Sequence, residues 1–163
     1  EYSVVDSSLY IFAGDEDSLL DLDARLYTIT TNTGESFFTD QDNSEYVFNS
    51  VHVDQDTGKL YAMSPGLFQD YESMSLVHMC PHYGNVTLVG ETATSDEFGF
   101  FMGGGVYGAA IFDGNFMHIG HHAVDDAAAM LRVDLETGEL LETQFLQLGV
   151  NQAQQIGSVV HML

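Results

Sequence analysis

Positive charge is nearly absent from this 163-residue sequence, which has three cationic side chains, one cysteine, two prolines and no tryptophan. The cations are Arg25, Lys59 and Arg132, set against 25 acidic residues, for a formal net charge of -22. A field of that sign repels nucleic acid phosphates and anionic lipid headgroups, which disfavours both as partners. Cys80 has no second thiol to pair with, so an intrachain disulfide is excluded. That fits a reducing compartment or a fold that needs no covalent staple. No run of about eighteen apolar residues occurs, so no helical membrane span is expected. Only Pro65 and Pro81 interrupt the chain, and no long stretch carries helical periodicity.

The chain does have apolar material. With 45% hydrophobic and 12% aromatic residues, it can bury the core of one domain, and its length is short for two. The acids are dispersed, with clusters at Asp15–Asp17, Asp40–Asp42 and Asp125–Asp126. They read as a solvated acidic surface suited to salty surroundings, or as company for metal cations and basic proteins. The chain opens at Glu1 without Met, which suggests a processed mature chain or a trimmed piece.

Three segments end in one turn pattern: Leu26 to Gly34, Leu76 to Gly84 and Met130 to Gly138. Their glycines lie about fifty residues apart, a period expected of blade repeats. Each segment leads into another apolar run, beginning near Glu35, Val86 and Glu139. A second hairpin precedes each one: Tyr2–Asp6 with Ser8–Ala13, Ser50–Asp54 with Lys59–Ser64, and Ala109–Asp113 with Asn115–Gly120. Gln55-Asp-Thr-Gly58 and Gly114-Asn115 supply turn chemistry, because glycine accepts positive φ and Asp or Asn bonds its own backbone. Aligned on the Asp that ends each first strand, His52 falls with Val4 and Ile111. Ala127 to Leu131 has some helical character, but its place in the repeat makes it the lead-in to a strand.

Four antiparallel strands per unit describe a propeller blade. The expected fold is therefore all-β, a β-propeller-like repeat of four-stranded antiparallel blades spanning 2–39, 48–91 and 106–146. The whole of 1–163 is read as a single domain. A leftover strand at 156–163 repeats the opening of a blade. Three blades fall short of the about four to eight of closed propellers, so a partial propeller or part of an assembly is expected. An open antiparallel sheet or sandwich is the alternative. The variable connections 14–24, 65–73 and 121–129 are expected on one face of the disc.

The recurring Asp-x-x-Thr-Gly turn followed by Leu, as in Asp134-Leu-Glu-Thr-Gly-Glu-Leu140, resembles the repeats of secreted and periplasmic β-propellers with YVTN-type, NHL-type and quinoprotein-like blades. The resemblance implies a propeller fold and an extracellular, lumenal or periplasmic location. The tryptophan motifs of WD40 and quinoprotein blades are missing, and no functional residue is carried over.

Among candidate sites, Phe116 to Asp126 is the richest. His118, His121 and His122 with Asp125 or Asp126 can supply nitrogen and oxygen ligands to Zn, Cu, Ni or Mn. The spacing H-x-x-H-H is no recognised structural zinc pattern, Gly120 argues for a bend, and the competing reading is solvated loop histidines. Asp40, Asp42 and Ser44 alternate oxygens as the start of a calcium loop does, but the glycine and glutamate of an EF-hand are missing. A self-bonding turn competes with a Ca2+ site there. Asn85-Val-Thr87 is a glycosylation sequon directly after the Gly84 turn. Gly103 to Gly105 lacks the helix and lysine of a phosphate loop. His78 and Cys80 share a strand face, yet an anionic surround opposes thiol activation. His161 lies on the leftover strand, and could join His52 in an axial pocket if the disc closes.

The leading expectation is a non-enzymatic binding or structural module, extracellular or lumenal, that assembles with other chains through its C-terminal strand. It is expected to be a homo- or hetero-oligomer, with Ca2+ or a transition metal as the candidate ions. The alternative is a metal-dependent or lactonase/quinoprotein-like propeller enzyme with a pocket at the blade axis or upper face.

Overall fold

The computed structural model describes residues 1–13, 25–40, 51–65, 73–94, 106–122 and 127–146. The leftover strand at 156–163, the glycines 103–105 and most of the three connections lie outside these residues. Among the described residues there is no helix, and twelve strands form three separate four-stranded antiparallel sheets. The fold is all-β and propeller-like.

The first sheet holds β1 (Tyr2–Ser3), β2 (Ser8–Ala13), β3 (Arg25–Thr30) and β4 (Ser36–Asp40) in that order. The second holds β5 (His52–Val53), β6 (Leu60–Pro65), β7 (Ser73–Met79) and β8 (Val86–Thr94). The third holds β9 (Val106–Phe112), β10 (Asn115–His122), β11 (Ala127–Asp134) and β12 (Leu140–Leu146). Each sheet is a meander in which chain neighbours are also spatial neighbours, as hairpin connections require.

One turn closes four of the hairpins. Gly34, Gly58, Gly84 and Gly138 all adopt φ between 71° and 74°. In each, the glycine N–H donates to the carbonyl four residues earlier, at Thr30, Asp54, Cys80 and Asp134, over 2.7 to 2.9 Å. At Asp134 the side chain completes the turn by accepting from the Glu136 and Thr137 N–H groups at 2.9 and 2.8 Å. The β9–β10 hairpin is tighter: Asp113 and Gly114 both have positive φ, as a two-residue type I′ turn demands.

These unequal turns shift the repeat register. The strand partners of the equivalent residues Leu9, Leu60 and Phe116 are Tyr2, Val53 and Ile111. His52 therefore matches Ala110 and not Ile111, and Val4 lies in a turn beyond β1. Aligning on the terminal Asp fails because the three turns consume different numbers of residues.

Strand alternation gives each sheet a leading face, toward the preceding sheet, and a trailing face, toward the next. The trailing face of the first sheet buries Tyr10 and Leu26 against the leading face of the second, where Val53, Leu60, Ala62, Val77 and Met79 lie. The trailing face of the second presents Tyr61 and Leu76 to Phe116, Leu131 and Val133 of the third. The middle strands of the second sheet, β6 and β7, are thus covered on both faces. Leu60, Leu76 and Leu131 are each 0% exposed, a burial that stabilises by about 2 kcal/mol per side chain. The packing between sheets, more than any one hairpin, holds the chain together.

Candidate functional site

The chemistry-bearing side chains gather at the seam between the second and third sheets. β5 lies against β9 there, and β6, β7 and β10 bring imidazole and aromatic rings to the same level. The His52 ring meets Phe116 edge-on, with centroids 5.5 Å apart at 84°. Phe116 in turn stacks with His118 at 6.5 Å and 24°. On the neighbouring strands Tyr61 faces the His78 ring at 5.6 Å and 66°. Offset and edge-on pairs of this kind are favoured by the ring quadrupoles.

Each position follows from the local sequence. His118 occupies the leading face of β10 between Phe116 and the bulge at Gly120, where β9 shifts register. It is 5% exposed. Burial, and then the proximity of His52, hold its pKa down at about 4, so the ring is neutral across the physiological range. His78 is also held below the ordinary imidazole range, first by burial and then by Lys59. Tyr61 is pushed up by burial and by Asp54. His52 is half-buried, with Nδ1 3.2 Å from a Glu1 carboxylate oxygen.

At the seam His118 and His78 are therefore ring-packed imidazoles of lowered basicity. Such rings suit packing, and an unprotonated imidazole is also the form that binds metal. Among the described residues, no three His, Cys, Asp or Glu side chains converge as a metal site would need.

The sequence candidates fall as follows. His118, His121 and His122 all belong to β10, which stays paired with β11 throughout; His121 and His122 sit opposite Ala128 and Ala127. The strand therefore does not bend away from β11 at Gly120, and these histidines are strand residues, not loop residues. Asp125 and Asp126 lie outside the described residues, as do Asp42 and Ser44. Asp40 is the last residue of β4, opposite Arg25 in the ladder, and not part of a free loop. Asn85 is exposed after the Gly84 turn, its carbonyl accepting from the Cys80 N–H at 3.1 Å. Cys80 is half-buried just beyond β7.

Two inter-sheet contacts carry no sequence signal. The Gln55 amide brackets the first sheet, donating from Nε2 to the Tyr2 carbonyl at 2.7 Å and accepting at Oε1 from the Val4 N–H at 3.0 Å. A side chain thereby extends a backbone ladder between sheets. Gly90 of β8 lies so close to the Gly138 turn that a Cβ on it would stand 2.0 Å from the Thr137 carbonyl oxygen.

The sequence matches no protein-family model and no curated protein. Two solved structures are similar to it at low identity. An exo-β-1,3-galactanase from Clostridium thermocellum, 1,3Gal43A, is 17% identical with a TM-score of 0.53, covering 89% of this chain and 34% of its own. A quinohemoprotein alcohol dehydrogenase from Comamonas testosteroni is 18% identical with a TM-score of 0.49, covering 86% of this chain and 20% of its own. The chain thus spans about a third and a fifth of their lengths, and the likeness to the galactanase is one of fold.

Proposed function

We propose that this chain is a non-enzymatic binding or structural module, extracellular or lumenal, that works by docking with other protein chains. The observation that carries this reading is the outer face of the first sheet. There Tyr2, Ile11 and Tyr27 are 44%, 42% and 36% exposed on one face of the sheet. Large apolar patches of that kind mark docking surfaces. The burial of His118, the best ligand candidate, fits a packing role better than a catalytic one. The extracellular or lumenal setting rests on the resemblance to YVTN-, NHL- and quinoprotein-like blades, and the C-terminal strand is retained as a second contact with a partner chain.

Sedimentation across a concentration series, with a dye that fluoresces on apolar surface, tests the reading. The expected result is an assembly heavier than one 17.9 kDa chain, or dye binding wherever the chain is single. A compact monomer that binds no dye at any concentration overturns it.

A further inference from the structure

We propose that the partner of the first sheet's leading face is the third sheet's trailing face on a second copy of this chain, closing a six-bladed ring from two three-bladed halves. This deepens the docking reading above and rests on it.

The first argument is repeat equivalence. On the two middle strands of a sheet, leading-face positions are buried where a preceding sheet stands, whereas on the outermost strands Leu88 and Phe145 stay exposed. Ala62 and Val77 are 0% exposed, and their equivalents in the third sheet, His118 and Leu131, are 5% and 0%. The same two positions in the first sheet are Ile11 and Tyr27, at 42% and 36%. Trailing-face positions behave in the mirror sense. Tyr10 and Leu26 are 2% and 0% exposed, and Tyr61 and Leu76 are 7% and 0%. Their equivalents in the third sheet, Met117 and Met130, are only half-buried, beside an exposed Ala110. Among the described residues, the first sheet's leading face is exposed at Ile11 and Tyr27, and the third sheet's trailing face is only half-buried at Met117 and Met130. Within the chain these two kinds of face meet twice, so each is the complement that the other end lacks.

The second argument is closure. Propellers close with about four to eight blades, and the only multiple of three in that interval is six. Two copies related by a two-fold axis along the ring would each fill half of it, and both contacts would be the same head-to-tail pairing. Copies that failed to close would leave a growing filament. A pairing of leading face on leading face would satisfy neither the observed complementarity nor the half-buried trailing face.

Ile11→Glu and Ala110→Glu test the pairing, one on each face and both at exposed positions that the fold tolerates. Sedimentation of the 163-residue chain is expected to give two-chain particles. Each variant alone is expected to be a single chain with an unchanged β-sheet circular dichroism spectrum. Mixing the two variants is expected to restore two-chain particles, because one of the two contacts is then wholly native. If Ile11→Glu dissociates the particle and Ala110→Glu does not, the head-to-tail ring is overturned while the docking reading stands. Two-chain particles indifferent to both substitutions have the same consequence. A single-chain wild type that binds apolar dye overturns the ring and leaves docking to a different chain. A single-chain wild type that binds no dye overturns both.

Discussion

His118 is where a single residue does most to set how this protein responds to acid. Its ordinary pKa of 6.5 falls to about 4 in the folded chain, through burial first and then His52. As pH drops below about 6.5, the unfolded chain takes up the proton and the folded chain does not. The stabilisation is complete above that pH and is lost as pH falls toward 4, by about 3 kcal/mol in all. Urea unfolding at pH 7 and pH 4 should therefore show wild type losing about 3 kcal/mol more than His118→Leu, which removes the titrating ring. Equal losses in the two proteins would contradict a buried neutral imidazole. The cluster of histidines was plain from residues 116–126, although the sequence placed only His118 on a strand and read His121 and His122 as loop residues. That only His118 would be locked in the seam was not, because sequence distinguishes the faces of a strand only once the partner sheet is known.

At the scale of elements, the hairpin turns were the most legible feature. Asp-x-x-Thr-Gly is local chemistry: the Asp oxygen caps N–H groups within three residues, and the glycine supplies positive φ without needing a neighbour. The left-handed glycine that ends such turns, with Thr30 in place of Asp before Gly34, does different work in different sheets. A Cβ on Gly34 meets nothing within 4 Å, whereas one on Gly138 would lie 2.6 Å from the Gly90 Cα. Both glycines share the left-handed conformation. Gly34→Ala is thus expected to cost about 1 kcal/mol of backbone strain alone. Gly138→Ala is expected to cost about 3 kcal/mol, the clash between sheets adding to that strain. Denaturation midpoints at constant slope measure both, and equal costs would remove the close approach of β8 to the β11–β12 turn. What the repeat alone misplaced was the register of β5, because hairpins with two, four or more turn residues cannot be aligned on a shared Asp.

Over the whole molecule, the charge of -22 opposes compaction and opposes any contact between copies. Raising sodium chloride from 0.1 to 1 M shortens the screening length from about 10 to about 3 Å. The melting temperature should rise by about 3 °C or more, equivalent to roughly 1 kcal/mol of relieved repulsion. A flat or falling melting temperature would mean that the acids are already compensated in the fold. The sequence already pointed to three blades of four strands, since the period and the hairpins are properties of the chain itself.

Composition and spacing alone determined the strand content, the turn chemistry and the three-fold repetition, because each rests on contacts within a few residues. Tertiary structure alone decided which face of each sheet meets which neighbour, since residues such as Ile11, Ala62 and His118 hold the same place in the repeat whatever stands against them. Their burial differs for one physical reason: a sheet face is covered only where another sheet stands against it.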